Sequence, residues 1–325
     1  GISYLSQDGI MDVENYYRRM NFRAALDYEA RKWLKVGFNG VFSNSQQQLP
    51  NNAAWQQAFN AAPVYPVYDD RRDDRVFPVK YASPSQAGLS TNFYNPVATA
   101  NYYDNRNETY QVLSNFYAQL NILPDKLNIR TSYSYDYQMV RGTEFTPTYY
   151  VSDNQQSTAT KLTKTDSNYY NWVWDNIATY TDSWGKHNFT GMLGVSMRQE
   201  QYRKLTGTAN NVPEGADEWK YISLGNEEGA TVDDDGTRDR GLSYFTRLNY
   251  NYDDKYMLMF TFRADGSSKY NEKWGYFPSI GGAWVLSQES FMENQNIFDY
   301  LKLRASWGKL GNDKVAASAG FASIT

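Results

Sequence analysis

Apolar and polar side chains alternate almost without interruption over residues 109–122. One parity carries the apolar set, and the other carries mainly amides and hydroxyls. Residues 127–139 repeat the pattern after the turn signal at 123–126 (LPDK). Because successive side chains of a strand point to opposite faces, both stretches are predicted to be strands with one apolar and one polar face.

Similar segments recur along the chain and give about eleven predicted strands. They are 1–7, 20–29, 33–45, 109–122, 127–139, 168–181, 187–203, 241–252, 255–265, 276–286 and 300–310. Strands of soluble domains usually have about 5–6 residues, whereas tilted transmembrane strands need about 9–11. Short turns alternate with long loops, predicted at 46–106, 142–166 and 204–239. Turns at one rim and long loops at the other are typical of outer-membrane barrels.

Aromatic residues cluster near the predicted strand ends, as at Trp33, 133–137, 169–174, 250–256 and 274–277. Girdles of rings at the two membrane interfaces produce such clusters. The predicted fold class is therefore all-β, an antiparallel transmembrane β-barrel segment with short periplasmic turns and long extracellular loops. A large soluble β-sandwich or solenoid is the alternative, and it fits the strand lengths poorly.

Composition excludes several other classes. The chain has 29 Tyr, 16 Phe and 9 Trp, whereas disordered chains are poor in aromatic residues. Its mean hydropathy of -0.72 and the lack of an apolar run near 20 residues argue against membrane helices. A net charge of -4 argues against nucleic-acid binding. With no cysteine, thiolate and disulfide chemistry are excluded, and GISYLSQDGI at the start resembles no signal peptide.

The later part of the chain carries specific motifs. They are FRADGSSKY at 262–270, WGYFPS at 274–279 and LKLRASWG at 301–308, with YLSQDGI at 4–10, WLKVG at 33–37 and YNPVA at 94–98 in support. Together they resemble the barrel of the SusC/RagA family of TonB-dependent outer-membrane transporters.

The resemblance implies a barrel of roughly 22 strands plugged by an N-terminal domain. It also implies a TonB complex that acts on the plug region, a SusD-like lipoprotein lid, and import of oligosaccharides or peptides across a bacterial outer membrane. No plug, signal peptide or closing strand is recognisable. Residues 1–325 are therefore expected to be part of one barrel domain within a longer protein, in contact with outer-membrane lipid and with no cofactor.

Parity also predicts the polar lining of the barrel. If the tyrosines of 133–137 face lipid, the intervening positions face the lumen. An arginine facing lipid near the bilayer midplane costs about 2–4 kcal/mol, so the lumen is favoured for charged residues. The candidate lumen residues are Arg130, Asp136, Gln138, Arg247 and Arg263. We expect them to hold the plug or to contact substrate.

The predicted loop 46–106 is rich in aromatic residues and amides, and a short surface helix is predicted at 52–61. Such residues suit stacking on sugar rings, and they suit packing against a partner protein equally well. The candidate ligand or lid contacts are Trp55, Tyr65, Tyr68, Tyr94 and Tyr102.

Enzymatic chemistry finds little support. The single histidine, His187, follows a predicted turn and has no nucleophile beside it in sequence. The acidic stretch 233–239 lacks the full spacing of a calcium loop, so a solvated loop is expected. The mixed charges of 69–75 are expected to form a self-paired loop or a contact to a lid. A secreted soluble carbohydrate-binding β-protein and a barrel enzyme are the alternative functions.

Overall fold

The computed structural model describes residues 1–70, 81–90, 92–215, 217–294 and 297–313. Eleven strands form one antiparallel sheet in which each strand pairs with its neighbours along the chain. These strands are β1 Ile2–Asp8, β2 Tyr16–Arg31, β3 Leu34–Leu49, β4 Asp104–Leu123, β5 Leu127–Thr146, β8 Lys161–Trp184, β9 His187–Asn210, β10 Asn226–Tyr252, β11 Tyr256–Ser267, β12 Trp274–Val285 and β13 Lys302–Gly308. The predicted strand order is confirmed.

Two smaller units lie outside this sheet. A separate hairpin, β6 Tyr149–Ser152 and β7 Gln155–Ser157, was not predicted. The helices are α1 Ala53–Asn60, which fits the predicted surface helix, and α2 Pro96–Asn101. Within the described ranges, no helix has the length and apolar character needed to cross a bilayer.

The register gives the sheet two chemically distinct faces. Residues paired across neighbouring strands project to the same face, so one row runs through Leu34, Leu120, Ile129, Ala178, Leu193, Thr246, Phe262 and Pro278. This face, the apolar face, also carries the tyrosines of 133–137. The opposite face carries amides, hydroxyls and charges, and it is called the polar face below.

The connections at the two ends of the strands differ in length. Turns of two or three residues, at 32–33, 124–126, 185–186 and 253–255, lie at one end. The longer segments 50–103, 147–160 and 211–225 lie at the other. The link 286–301 joins β12 and β13 at the turn end and contains two 3-10 turns, Leu286–Gln288 and Ser290–Met292. The predicted alternation is therefore confirmed apart from this link.

The predicted loop 204–239 is wrong for most of its length. β9 continues to Asn210 and β10 begins at Asn226, so the connection is only 211–225. These strand ends were missed because both of their faces are polar, so apolar and polar residues do not alternate along them. β10 pairs with β9 at Asn226 and, after a shift of register, from Thr231 onward, but it pairs with β11 only from Gly241 onward. Residues 226–240 thus extend beyond the end of β11.

An aromatic row crosses five strands of the apolar face at the turn end. Its members are Trp184, His187, Tyr252, Tyr256 and Trp284. Neighbouring ring centroids lie 4.9–6.4 Å apart. A belt of rings at one height is the arrangement predicted for a membrane interface.

Candidate functional site: the polar face and the long-loop unit

The five candidate lumen residues all project from the polar face. Arg130, Asp136 and Gln138 lie on β5, Arg247 on β10 and Arg263 on β11. Arg130 and Arg263 belong to one hydrogen-bonded row, with Ile177, Gly194 and Phe245 between them. Four strand spacings of about 4.8 Å separate the two arginines, roughly 19 Å along the sheet. The five residues therefore line a wall and do not converge on one point.

Arg130 is held by an aromatic ring. Its guanidinium carbon lies 4.0 Å from the centroid of the Tyr117 ring, and the Tyr117 hydroxyl donates a hydrogen bond to Asp27. The ring fits there because Gly37 has no side chain. A Cβ at Gly37 would lie 2.1 Å from the Tyr117 ring. A cation over a tyrosine face is attracted by the ring quadrupole, so this contact orients Arg130.

Asp136 and Gln138 lie on the next stretch of β5. Gln111 donates a hydrogen bond to Asp136 at 3.1 Å. Asp136 also lines an open concavity of about 400 Å³ together with Asn39, Asn115 and Ser134. Gln138 pairs across the sheet with Gln111 and with Tyr169. Amides, hydroxyls and a carboxylate here offer hydrogen bonds to a polar ligand or protein surface.

Arg263 forms an ion pair and Arg247 does not. The Arg263 guanidinium donates to Asp265 at 2.8 Å and lies 5.1 Å from the centroid of the Phe245 ring. The Phe245 ring lies over Gly194, where a Cβ would come within 2.2 Å of it. Arg247 is exposed, and no carboxylate lies within ion-pair distance of it in the described part of the chain.

The described residues of the long connections, 50–70, 81–90, 92–103 and 147–160, pack into one unit, called the long-loop unit. Its core contains Tyr81, Ala98 and Val151, with Tyr102 and Tyr149 packed against them. The Tyr102 and Tyr149 rings stack at 4.5 Å. Burial raises the pKa of Tyr81 to about 12.

Asn95 connects the parts of this unit and is 1% exposed. Its side-chain oxygen caps α2 by accepting from the backbone N–H groups of Val97 and Ala98, both at 3.2 Å. Its side-chain nitrogen donates to the carbonyl of Val67 at 2.9 Å. Gln155, in the β6–β7 hairpin, closes two further bonds to the Asn95 backbone, at 2.7 and 2.8 Å. The sequence analysis did not predict this set of bonds, although an asparagine directly before a proline is a signal for the start of a helix.

The five candidate loop residues divide into packed and exposed groups. Tyr102 packs in the core, and the Tyr65 hydroxyl donates to the Ala82 carbonyl at 2.8 Å. Tyr68 stacks on Tyr81 at 5.5 Å while part of its ring stays exposed. Trp55 on α1 and Tyr94 are exposed. Of the charge run 69–75, residues 71–75 lie outside the described residues.

The segment 211–225 folds back over the apolar-face side of β4 and β5. Lys220, which is 8% exposed, bonds Asp104 at 2.7 Å and Asp217 at 2.8 Å and lies over the Phe145 ring. Arg106 contacts the same two carboxylates. The hydrogen bond from Lys220 holds the pKa of Asp217 below its usual range. This cluster, the lysine cluster, was not predicted.

Two expectations about chemistry can be compared with the fold. His187 accepts or donates a hydrogen bond with the Tyr250 hydroxyl at 2.7 Å and stacks on Trp184, in the interfacial row. The predicted acidic loop is wrong, because Asp233, Asp234 and Asp235 lie in β10. Successive strand residues alternate between faces, so these three carboxylates diverge.

These observations define the class. The long antiparallel strands, with one apolar face, one polar face and an interfacial aromatic row, form a segment of the barrel fold of outer-membrane receptors. No family model matches the chain. It is 30% identical, over 97% of its length, to TonB-dependent receptor P26 of Formosa agariphila, of which it spans 31%. It is 27% identical to TonB-dependent receptor SusC of Bacteroides thetaiotaomicron, again over 97% of its length and 32% of that receptor.

Solved structures agree with the sequence relatives. The chain superposes on the RagAB peptide transporter with a TM-score of 0.74 and 19% identity, covering 97% of this chain and 35% of that one. The resemblance to SusC/RagA-type TonB-dependent receptors is thus confirmed along nearly the whole chain. The chain spans about a third of the length of the curated relatives it matches. These relatives are named receptors, not enzymes, in line with the sequence prediction.

Proposed function

We propose that this chain forms part of the barrel wall and extracellular vestibule of a TonB-dependent importer in a bacterial outer membrane. The importer takes up oligosaccharides, or alternatively peptides. The observation that carries the proposal is the similarity to TonB-dependent receptors over 97% of the chain. The two-faced sheet supports it, because an apolar face suits lipid and a polar face suits a plugged lumen.

The polar face suits contact with a plug. Two of its arginines are held in place by neighbouring side chains, Arg130 over the Tyr117 ring and Arg263 beside Asp265. A wall of fixed donors and acceptors can hold a plug by many weak contacts that are broken together when TonB pulls. Direct contact with substrate is the second role we propose for the same residues.

The long-loop unit suits contact with a lid. Trp55 and Phe59, one helical turn apart on α1, are both exposed, and exposed aromatic residues are enriched at protein interfaces. We propose a SusD-like surface lipoprotein as the partner here. The structurally similar RagAB complex is a peptide transporter, which keeps peptide beside oligosaccharide as a substrate class for this chain.

The test uses the full-length receptor in its native membrane. We expect extraction to require detergent, gel mobility to shift on boiling, and a lipoprotein to co-purify. Cells that lack the receptor should lose uptake of one class of oligosaccharide or peptide, and cells that lack TonB should lose the same uptake.

Other outcomes would identify the alternatives. A protein that stays soluble without detergent and binds glycans would support the secreted β-protein. Turnover abolished by one carboxylate or serine substitution would support a barrel enzyme. Uptake that persists without TonB would contradict the proposed energy coupling.

A further inference from the structure

Three arginines form an exposed patch on the apolar face of β9 and β10, just beyond the apolar band. On the apolar face of β10, Arg240 comes next after Leu242 toward the long-loop end of the strand, followed by Arg238 and then Gly236. Arg203 on β9 pairs with Gly236. All three side chains are exposed. They are called the arginine patch.

The patch is held in place by neutral groups. Arg240 Nε donates to Gln199 at 3.1 Å, and Arg238 Nε donates to Gln201 at 3.1 Å. Each glutamine lies directly across the strand pair from its arginine. A Cβ at Gly236 would lie 2.8 Å from the Tyr202 carbonyl and 3.5 Å from Arg203. The glycine therefore leaves space beside the Arg203 side chain.

The patch differs from three other cations beyond the apolar band of this face, whereas Arg18 and Lys164 on the same face lie over the Tyr16 and Tyr221 rings. Arg106 and Lys220 share the carboxylates of the lysine cluster, and Arg141 lies 3.8 Å from Asp166. No carboxylate in the described part of the chain lies within ion-pair distance of the arginine patch. The nearby acids Glu200 and Asp239 project from the polar face. Asp166 and Asp234 share the apolar face with the patch, in the row that follows Arg203, and form no ion pair with it.

Three like charges that form no ion pair repel one another, so a bound anion stabilises the arrangement. The terminal guanidinium nitrogens remain available, and a guanidinium binds phosphate with two parallel hydrogen bonds. Clusters of arginine and lysine beside a membrane-facing apolar surface bind anionic headgroups.

We infer that the arginine patch binds the phosphate of an anionic lipid headgroup at the extracellular edge of the bilayer. The inference rests on the proposed membrane location. The apolar side chains of Met197 and Leu242 lie next to the patch on the same face, where they would contact the acyl chains of the same lipid.

The experiment titrates the purified full-length receptor in detergent with phosphatidylglycerol or phosphatidylcholine and counts bound lipid by native mass spectrometry. We expect tighter binding of phosphatidylglycerol. The double variant R238Q/R240Q should bind it about 25-fold more weakly, roughly fivefold for each arginine near an anionic lipid surface. The charge-preserving R238K/R240K should retain most of the affinity. The control R23Q/R304Q removes two exposed polar-face arginines and should bind like the wild type.

Equal affinity of the wild type and R238Q/R240Q would overturn the inference, as would equal binding of the two lipids or an equal loss in the control. Displacement of the lipid by millimolar inorganic phosphate alone would assign the patch to a free anion instead. A boiling-dependent gel shift checks that each variant is folded. Lipid binding does not depend on uptake, so a receptor that binds lipid but imports nothing would contradict only the proposed function.

Discussion

Asn95 and Gln155 exchange two hydrogen bonds although sixty residues separate them in the chain. The Asn95 backbone N–H donates to the Gln155 side-chain oxygen at 2.7 Å, and the Gln155 side-chain nitrogen donates to the Asn95 backbone carbonyl at 2.8 Å. This reciprocal pair joins two long connections that the barrel strands alone do not hold together. The long-loop unit therefore behaves as one packed body.

Asn95→Ala is expected to loosen this body. The change removes the cap of α2, worth about 1 kcal/mol. It also removes the side-chain hydrogen bonds to the Val67 and Ala82 carbonyls, worth about 0.5–1.5 kcal/mol each because both carbonyls keep a second donor. Hydrogen exchange in the full-length receptor should accelerate across both 81–102 and 149–157. Asn52→Ala is the matched control, because Asn52 precedes α1 without a side-chain cap bond. Equal exchange rates in the two variants would contradict the role of Asn95.

The raised pKa of Tyr81 predicts that the long-loop unit loses stability at alkaline pH. A phenol whose pKa rises to about 12 on folding from an ordinary value of 10.0 favours the folded unit at low pH. That contribution is present below pH 10 and is lost as the pH rises toward 12. Hydrogen exchange of 81–102 should therefore accelerate over this window, and Tyr81→Phe, which has no proton to lose, should reduce the acceleration.

The lysine cluster predicts that the folded segment 211–225 loses stability at acidic pH. The hydrogen bond from Lys220 lowers the pKa of Asp217. The ionised Asp217 therefore stabilises the folded segment fully above the ordinary aspartate pKa of about 3.9, and this stabilisation is lost as the pH falls through the lowered pKa. Pepsin should cut this segment at pH 2 and spare it at pH 4. Lys220→Met should be cut more readily than the wild type at pH 4, since Asp104 and Asp217 then share only Arg106.

The two faces can be distinguished with two leucines. Leu193 projects from the apolar face and Leu113 from the polar face, and both are exposed in the chain. In a bilayer, Leu193→Arg should lower the free energy of unfolding by about 2–4 kcal/mol. Leu113→Arg should have a much smaller effect, because its cross-strand neighbour is Asp136. Urea titration of the full-length receptor in vesicles measures both, and similar losses would contradict the face assignment.

The close approach of Tyr117 to Gly37 predicts intolerance of any side chain at Gly37. Gly37→Ala would push the ring away from Arg130 and from Asp27 and should cost about 1–3 kcal/mol, as overpacking usually does. Gly282→Ala is the control, since the nearest atom to a Cβ there is 3.8 Å away. The temperature at which gel mobility shifts measures the difference.

Sequence reasoning was strongest where one side of a strand is apolar and the other is polar. Around Phe116 and Tyr133 the contrast between faces is large, so strand order, face and turn positions could be predicted. The contrast disappears beyond the apolar band, where Asp234 and Gln201 are solvated like their opposite neighbours. The prediction of a loop over 204–239 is wrong for most of its length for that reason.

The candidate site was predictable in part. Parity alone placed Arg130 and Arg263 on one face. It could not show that Tyr117 or Asp265 holds them, because those contacts depend on the pairing register. The lysine cluster and the Asn95–Gln155 pair were beyond prediction, since each joins segments that meet only after the long connections fold back over the strands.

The unequal heights of β10 and β11 mean that the rim of this wall is stepped. Residues 226–240 rise beyond the last paired row at Gly241 and Ser267 and follow β9 from Arg198 to Asn210, a difference of roughly 40 Å along the strand. The sheet is therefore taller at β10. At β11 it ends at the short connection 268–273. A molecule that crosses this rim therefore meets a high wall on the β10 side and a low edge on the β11 side.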